Sequence, residues 1–176
     1  MASPLLATKE ALFRTVPVAG DRQRVLSIVR STRFFNAAEI EVAAELVEER
    51  LARGERSGYR FVFAERDGIS MGYACYGPIA GTVSSFDLYW IAVHARCQGQ
   101  GWGGRLIAEA ERLMAQAGGH RVYVQTSSRT VYAPTRAFYE RAGYRHEATL
   151  ADFYAPGDDK VIFVRALPDA SAYGAT

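Results

Sequence analysis

The chain predicts an α/β (α+β) domain, a mixed sheet with helices packed on it, from three observations. Apolar residues switch between helical and strand spacing, Asp67-Gly68 joins two apolar runs as a hairpin signal, and a glycine-rich loop at 98–104 separates an apolar run from an amphipathic one. The elements read in the order β-α-α-β-β-β-α-β-α-β-β. At 176 residues, 49% of them hydrophobic, the chain fits one domain with a sizeable core, placed at 11–168 between terminal tails at 1–10 and 169–176.

A short strand at 12–16 opens the domain. Residues 21–30 carry Val25, Leu26, Ile28 and Val29 at helix-compatible spacing. The next helix is better punctuated: Asn36 can cap it with Glu39 three positions on, Ile40, Ala43, Ala44, Val47 and Leu51 recur at helical intervals, and Gly54 stops it. Residues 59–65 and 71–76 are the strands that flank the Asp67-Gly68 turn. The run 86–93 is apolar almost throughout, which predicts a strand buried on both faces. A helix at 102–117 places Leu106, Ile107, Ala110, Leu113 and Met114 on its inner stripe and ends at Gly118-Gly119. Residues 121–125 return to a strand, Pro134 opens a helix that runs to Arg141, and strands at 144–153 and 160–167 flank the turn Pro156-Gly157-Asp158.

Charge and composition exclude several classes. The formal charge is +2, from 21 basic and 19 acidic residues, without the basic face that nucleic acid or an anionic membrane needs. Cys75 and Cys97 lack the spacing of a metal site or a disulfide framework, so no metal and a reducing cytoplasm are expected. No segment approaches the roughly 18 apolar residues of a membrane span, and residues 1–13 lack the pattern of a signal peptide.

The loop Gln98-Gly99-Gln100-Gly101-Trp102-Gly103-Gly104 is the most specific chemical signal. A strand that breaks into such a turn and re-enters as a helix aims several backbone N–H groups at one spot, and the helix dipole adds positive charge that suits a diphosphate. Gly99-x-Gly101-x-x-Gly104 also satisfies the dinucleotide fingerprint. That fingerprint follows the first strand of a parallel sheet and needs an acid about 20 residues on. Here it follows a meander, and the next strand ends in Gln125 and Thr126. A P-loop is excluded because no Gly-Lys-Ser/Thr follows.

Gln98-x-x-Gly101-x-Gly103, preceded by Trp90-Ile91-Ala92-Val93 and followed by Leu106, resembles the coenzyme A pyrophosphate motif of the GNAT superfamily of N-acetyltransferases. The run from Thr135 through Phe138-Tyr139-Glu140 to Gly143-Tyr144 is similar to the late helix of that family, commonly Phe-Tyr-Glu-x-x-Gly-Phe. The resemblance covers residues 12–167 and departs at Tyr132, where many members carry Asn.

The resemblance implies a GNAT-like mixed, mostly antiparallel sheet. It also implies acetyl-CoA as co-substrate and direct transfer of its acetyl group to a primary amine of a small molecule or peptide. The pantetheine arm would pair with Ile91, Ala92 and Val93. Gln98, Gly99, Gln100, Gly101, Trp102, Gly103 and Gly104 would hold the diphosphate. Tyr139 would contact the cofactor and protonate the departing thiolate. Similar proteins commonly dimerise, so a homodimer is an expectation by analogy.

The amine needs a proton acceptor, and Asp87 is the first candidate. It lies eleven residues before Gln98, where histone-type members carry a glutamate on the same strand. Strand alternation predicts that Asp87 shares a face with Tyr89, Ile91 and Val93. Its alternative role is a hydrogen-bonded structural acid. His94 as a proton relay and Cys97 as a nucleophile have bland alternatives, a loop histidine and a partnerless thiol. Ser127-Ser128 reads as turn chemistry. Tyr154, Asp158 and Asp159 read as a solvated turn that could attract a cation, and the charges of 36–53 as a solvated face. Two other functions stay open at this level: a coenzyme A-binding sensor without turnover, and a nicotinamide-dependent oxidoreductase.

Overall fold

The computed structural model describes residues 12–173. The tail at 1–10, the proposed domain start at 11 and residues 174–176 lie outside the described residues. The elements follow the predicted order: β1 (Leu12–Arg14), α1 (Asp21–Thr32), α2 (Ala37–Arg53), β2 (Arg60–Arg66), β3 (Ile69–Pro78), β4 (Ser85–Val93), α3 (Trp102–Gln116), β5 (Arg121–Ser127), α4 (Ala133–Arg141), β6 (Arg145–Ala155) and β7 (Asp158–Ala166). They form one seven-stranded sheet in the order β1-β2-β3-β4-β5-β7-β6, in which only β4 and β5 are parallel.

Local chemistry fixes the boundaries that the sequence marks. The Asn36 side chain accepts from the Glu39 N–H and the Glu39 carboxylate accepts from the Asn36 N–H, the reciprocal box that starts α2. Asp67 and Gly68 both adopt positive φ, 53° and 76°, the conformation a two-residue hairpin of this twist requires. Asp21, with no exposed surface, anchors the start of α1. Burial raises its pKa, but bonds from Arg14 (2.8 Å), the Val18 N–H and Arg24 outweigh that, and the net shift is downward.

Two cores cover the two faces of the sheet. On one, Val25, Ile28 and Val29 of α1 and Ala43 and Val47 of α2 pack on Phe61, Phe63, Tyr73, Cys75 and Ala92. On the other, Leu106, Ala110 and Met114 of α3 and Tyr139 of α4 pack on Val62, Ala74, Leu88, Val122 and Phe163.

Two irregularities depart from the sequence reading. Cys75 faces Trp90 while Tyr76 faces Leu88, so Tyr89 is one extra residue in β4. This bulge reverses the alternation. Phe86 and Leu88 pack on the α3 side with Ile91 and Val93, whereas Trp90 and Ala92 pack on the α1/α2 side. Asp87 therefore shares its face with Trp90 and not with Ile91 and Val93, which corrects the period-2 expectation. The final hairpin is irregular too: Leu150 faces Lys160 but Ala155 already faces Asp158, so residues 151–154 bulge out with Asp152 at φ 52°.

Candidate active site

The site begins where two strands part. β4 and β5 pair only at Ser85↔Arg121, Phe86↔Val122 and Asp87↔Tyr123, after which β5 continues along β7 and β4 continues along β3. From Leu88 onward the edge of β4 facing β5 has no ladder partner. The gap is the middle of a cleft of 1140 Å³ that runs through the sheet and is lined by residues 87–93 of β4, residues 125–127 of β5, the α1–α2 connection and α4. Because the cleft passes between strands, side chains from both faces of β4 reach it. This corrects the expected burial of β4 on both faces: Tyr89 is 39% exposed, and Asp87, Ile91 and Val93 are half-buried.

At one end stands the glycine loop. Gly99 and Gly101 have φ of 73° and 82°, a backbone that side-chained residues rarely adopt. Gly101 is the N-cap of α3 and no side chain caps the first turn, in contrast to the closed box of α2. The N–H groups of Trp102, Gly103 and Gly104 therefore face outward without an internal acceptor, which fits a diphosphate. A Cβ at Gly103 would stand 3.2 Å from the Phe138 ring, so this turn is closely packed against α4.

The predicted loop residues divide by geometry. Gln98 and Gly103 line the cleft together with Ile91, Ala92 and Val93, whereas Gly99, Gln100, Gly101, Trp102 and Gly104 lie outside its lining. The Gln98 amide donates to the Val93 carbonyl at 3.2 Å and the Gln100 amide to the Arg96 carbonyl at 3.0 Å, so both side chains brace the loop. Trp102 is only 3% exposed in the core, its ring flanked by Arg66 and Arg105, so its indole does not reach the cleft.

Further along, Tyr139 lines the cleft from α4, its ring packed against Phe138, Tyr144 and Phe163 at 5.4 to 6.2 Å between centroids. Burial holds its hydroxyl pKa well above that of a free tyrosine, so it stays protonated at neutral pH. Asp87 lines the same cleft from the opposite face of β4. Burial raises its pKa, partly offset by the Gln125 amide and the Lys160 charge. The Thr126 hydroxyl, on a residue 6% exposed in the cleft wall, has no partner among the described residues.

Several other expectations change. Asp158 is buried (9% exposed) and not part of a solvated turn; it accepts from Ser127 Oγ and pairs with Arg129 at 3.1 Å. Ser127 is thus a partner of the last hairpin as well as a turn residue. His94 accepts from the Arg96 N–H at its own loop, outside the cleft lining, and the Cys97 thiol rests 3.3 Å from the Met71 sulfur. Tyr132 lines the cleft and donates to Glu39, so one acid of α2 is a site residue and not solvated surface. No signal in the sequence joins these two residues; the aromatic pair Phe34-Phe35 between two helices is the one missed feature that the sequence does display. Among the described residues no group of three or more His, Cys, Asp or Glu could hold a metal ion, and no helix is long and apolar enough to cross a membrane.

Comparison with known proteins agrees with this geometry. Residues 57–146, from just before β2 to the start of β6, match the acetyltransferase (GNAT) domain. The chain belongs to the GNAT family of acetyltransferases. A crystal structure assigned to the GNAT acetyltransferases, from Desulfovibrio desulfuricans, is 45% identical and superposes with a TM-score of 0.88 over 90% of this chain and 100% of the other. An uncharacterized N-acetyltransferase of Methanocaldococcus jannaschii is 29% identical over 112 residues, 62% of this chain and 68% of that protein. An aminoglycoside 6'-N-acetyltransferase complexed with coenzyme A shares the fold at a TM-score of 0.71, with 17% identity over 89% of this chain and 97% of that one. This GNAT chain is an acyltransferase with the mixed, mostly antiparallel sheet of its family.

Proposed function

We propose that this GNAT protein moves the acetyl group of acetyl-CoA directly to a primary amine of a small molecule or peptide. The observation that carries the reading is the splay of β4 from β5, which leaves a strand edge free to pair with a pantetheine arm beside an uncapped, glycine-rich helix start. In the reaction the amine nitrogen bonds to the thioester carbonyl carbon and the C–S bond breaks. Backbone amides of residues 102–104 hold the diphosphate, and the Ile91–Val93 edge aligns the thioester. Asp87 accepts the proton that the amine loses, and Tyr139 gives one to the departing sulfur. The same reading takes residues 11–168 as one catalytic domain and the cytoplasm as its location, in keeping with the unpaired Cys75 and Cys97.

The base assignment has its own test. Asp87→Asn is expected to lower amine-dependent thiol release from acetyl-CoA on the order of tenfold to a hundredfold near pH 6.5, and progressively less toward pH 9, where free amine is abundant. Stability moves the other way. A raised folded pKa means the ionised form is disfavoured in the native state, a penalty that develops as pH rises above the ordinary Asp value and is absent from the amide. The variant should therefore be at least as stable at pH 7. A loss of activity equal at every pH, together with destabilisation, identifies Asp87 as structural.

A further inference from the structure

Four aromatic rings form a continuous wall along one side of the cleft. Tyr132 meets Phe34 edge-on at 4.6 Å, Phe34 meets Phe35 at 5.1 Å, and Phe35 tilts onto Trp90 at 4.9 Å. They come from three separate places: β4, the α1–α2 connection and the turn before α4. Core packing explains Phe35 and Trp90, which lie against the α1/α2 core. It does not explain Phe34, which belongs to neither core cluster yet lines the cleft, with Tyr132 buried (8% exposed) against it. Phe34, Phe35 and Trp90 are half-buried, so ring surface remains open to whatever occupies the space.

Carboxylates stand at both ends of the wall. Glu39 accepts from Tyr132, and the bulge at Tyr89 turns Asp87 to the same side of β4 as Trp90. Arg129, the cation stacked 5.3 Å from the Tyr132 ring, is already paired with Asp158. The wall offers an ammonium two acids and the faces of π-systems, and offers a flat apolar body a large contact surface. It offers few partners for the many hydroxyls of a sugar. The Tyr132–Glu39 bond and the Phe34–Tyr132 contact also tie the α1–α2 side to the turn before α4, so a long peptide would have to part them.

We infer that the amine accepted here is a small primary alkylamine whose chain ends in an aromatic ring. The inference rests on the transferase reading for the word acceptor, but binding tests it without turnover. Trp90 is one of two tryptophans and Trp102 is buried, so tryptophan emission of the protein saturated with coenzyme A reports on the wall. Titration with 2-phenylethylamine, ethanolamine and spermidine is expected to give a dissociation constant at least tenfold lower for 2-phenylethylamine. Phe34→Leu is expected to reduce that preference severalfold while coenzyme A affinity is retained. Equal or tighter binding of ethanolamine or spermidine to the unaltered protein overturns the inference, whatever the variant does. A clear aromatic preference without any acetylated 2-phenylethylamine when acetyl-CoA is supplied leaves the ligand class standing and overturns its assignment as the acceptor.

Discussion

Tyr139→Phe is expected to lower turnover by a factor on the order of 10² to 10⁴, the range general acid catalysis supplies, with little change in affinity for acetyl-CoA. The substitution is clean because the ring keeps its contacts with Phe138, Tyr144 and Phe163. Burial is the only influence on this hydroxyl and no hydrogen-bond partner acts on it, so its removal leaves no buried group stranded. Stability should stay within about 0.5 kcal/mol. A tyrosine whose pKa is raised above 10 contributes no break to the pH–rate profile in the neutral range, so the loss should be the same from pH 6 to 9. Turnover within threefold of the unaltered protein assigns Tyr139 to the core alone.

Gly103→Glu is expected to weaken acetyl-CoA binding at least a hundredfold while the domain still folds. Two effects act together. A Cβ at this position meets the Phe138 ring at 3.2 Å, so the loop or the ring must yield by a few tenths of an ångström. The carboxylate then stands at the mouth of the uncapped helix start, where like charge against a diphosphate costs several kcal/mol. The backbone at Gly103 is ordinary helix, unlike that of Gly101 at φ 82°, so the substitution adds no positive-φ strain. Calorimetric titration with acetyl-CoA, beside circular dichroism of the variant, separates lost binding from lost fold. Unchanged affinity would mean that the diphosphate sits elsewhere.

What the sequence reveals and what it conceals follows the range of the interactions. Asn36 with Glu39, Asp67 with Gly68, and the glycines at 99 and 101 act within a few residues, so their conformational demands are visible in the chain itself. The helix and strand order follows from the same local periodicity. The bulge at Tyr89 is different: one extra residue in β4 is fixed by how Cys75 and Tyr76 pair across the sheet, and no rule of alternation anticipates it. It moved Asp87 to the opposite face from the one expected, while the gap between β4 and β5 kept Asp87 in the cleft all the same. Glu39 and Tyr132, 93 positions apart, meet only because α2 and the turn before α4 flank the same opening. Asp158 looked like hairpin surface until Ser127 and Arg129 closed over it. The glycine-loop end of the cleft was therefore legible, and the end walled by Glu39, Tyr132 and Asp158 was not, since it is assembled from distant segments.

The central claim is that the gap between β4 and β5 and the glycine-rich start of α3 form one site for acetyl-CoA. Unfolding of the unaltered protein, alone, with acetyl-CoA and with NADH, measures it directly. At about 100 times its dissociation constant acetyl-CoA should add roughly 2.7 kcal/mol to the unfolding free energy, and NADH at the same concentration should add nothing measurable. Stabilisation by NADH equal to that by acetyl-CoA, or none by acetyl-CoA at millimolar concentration, contradicts the claim.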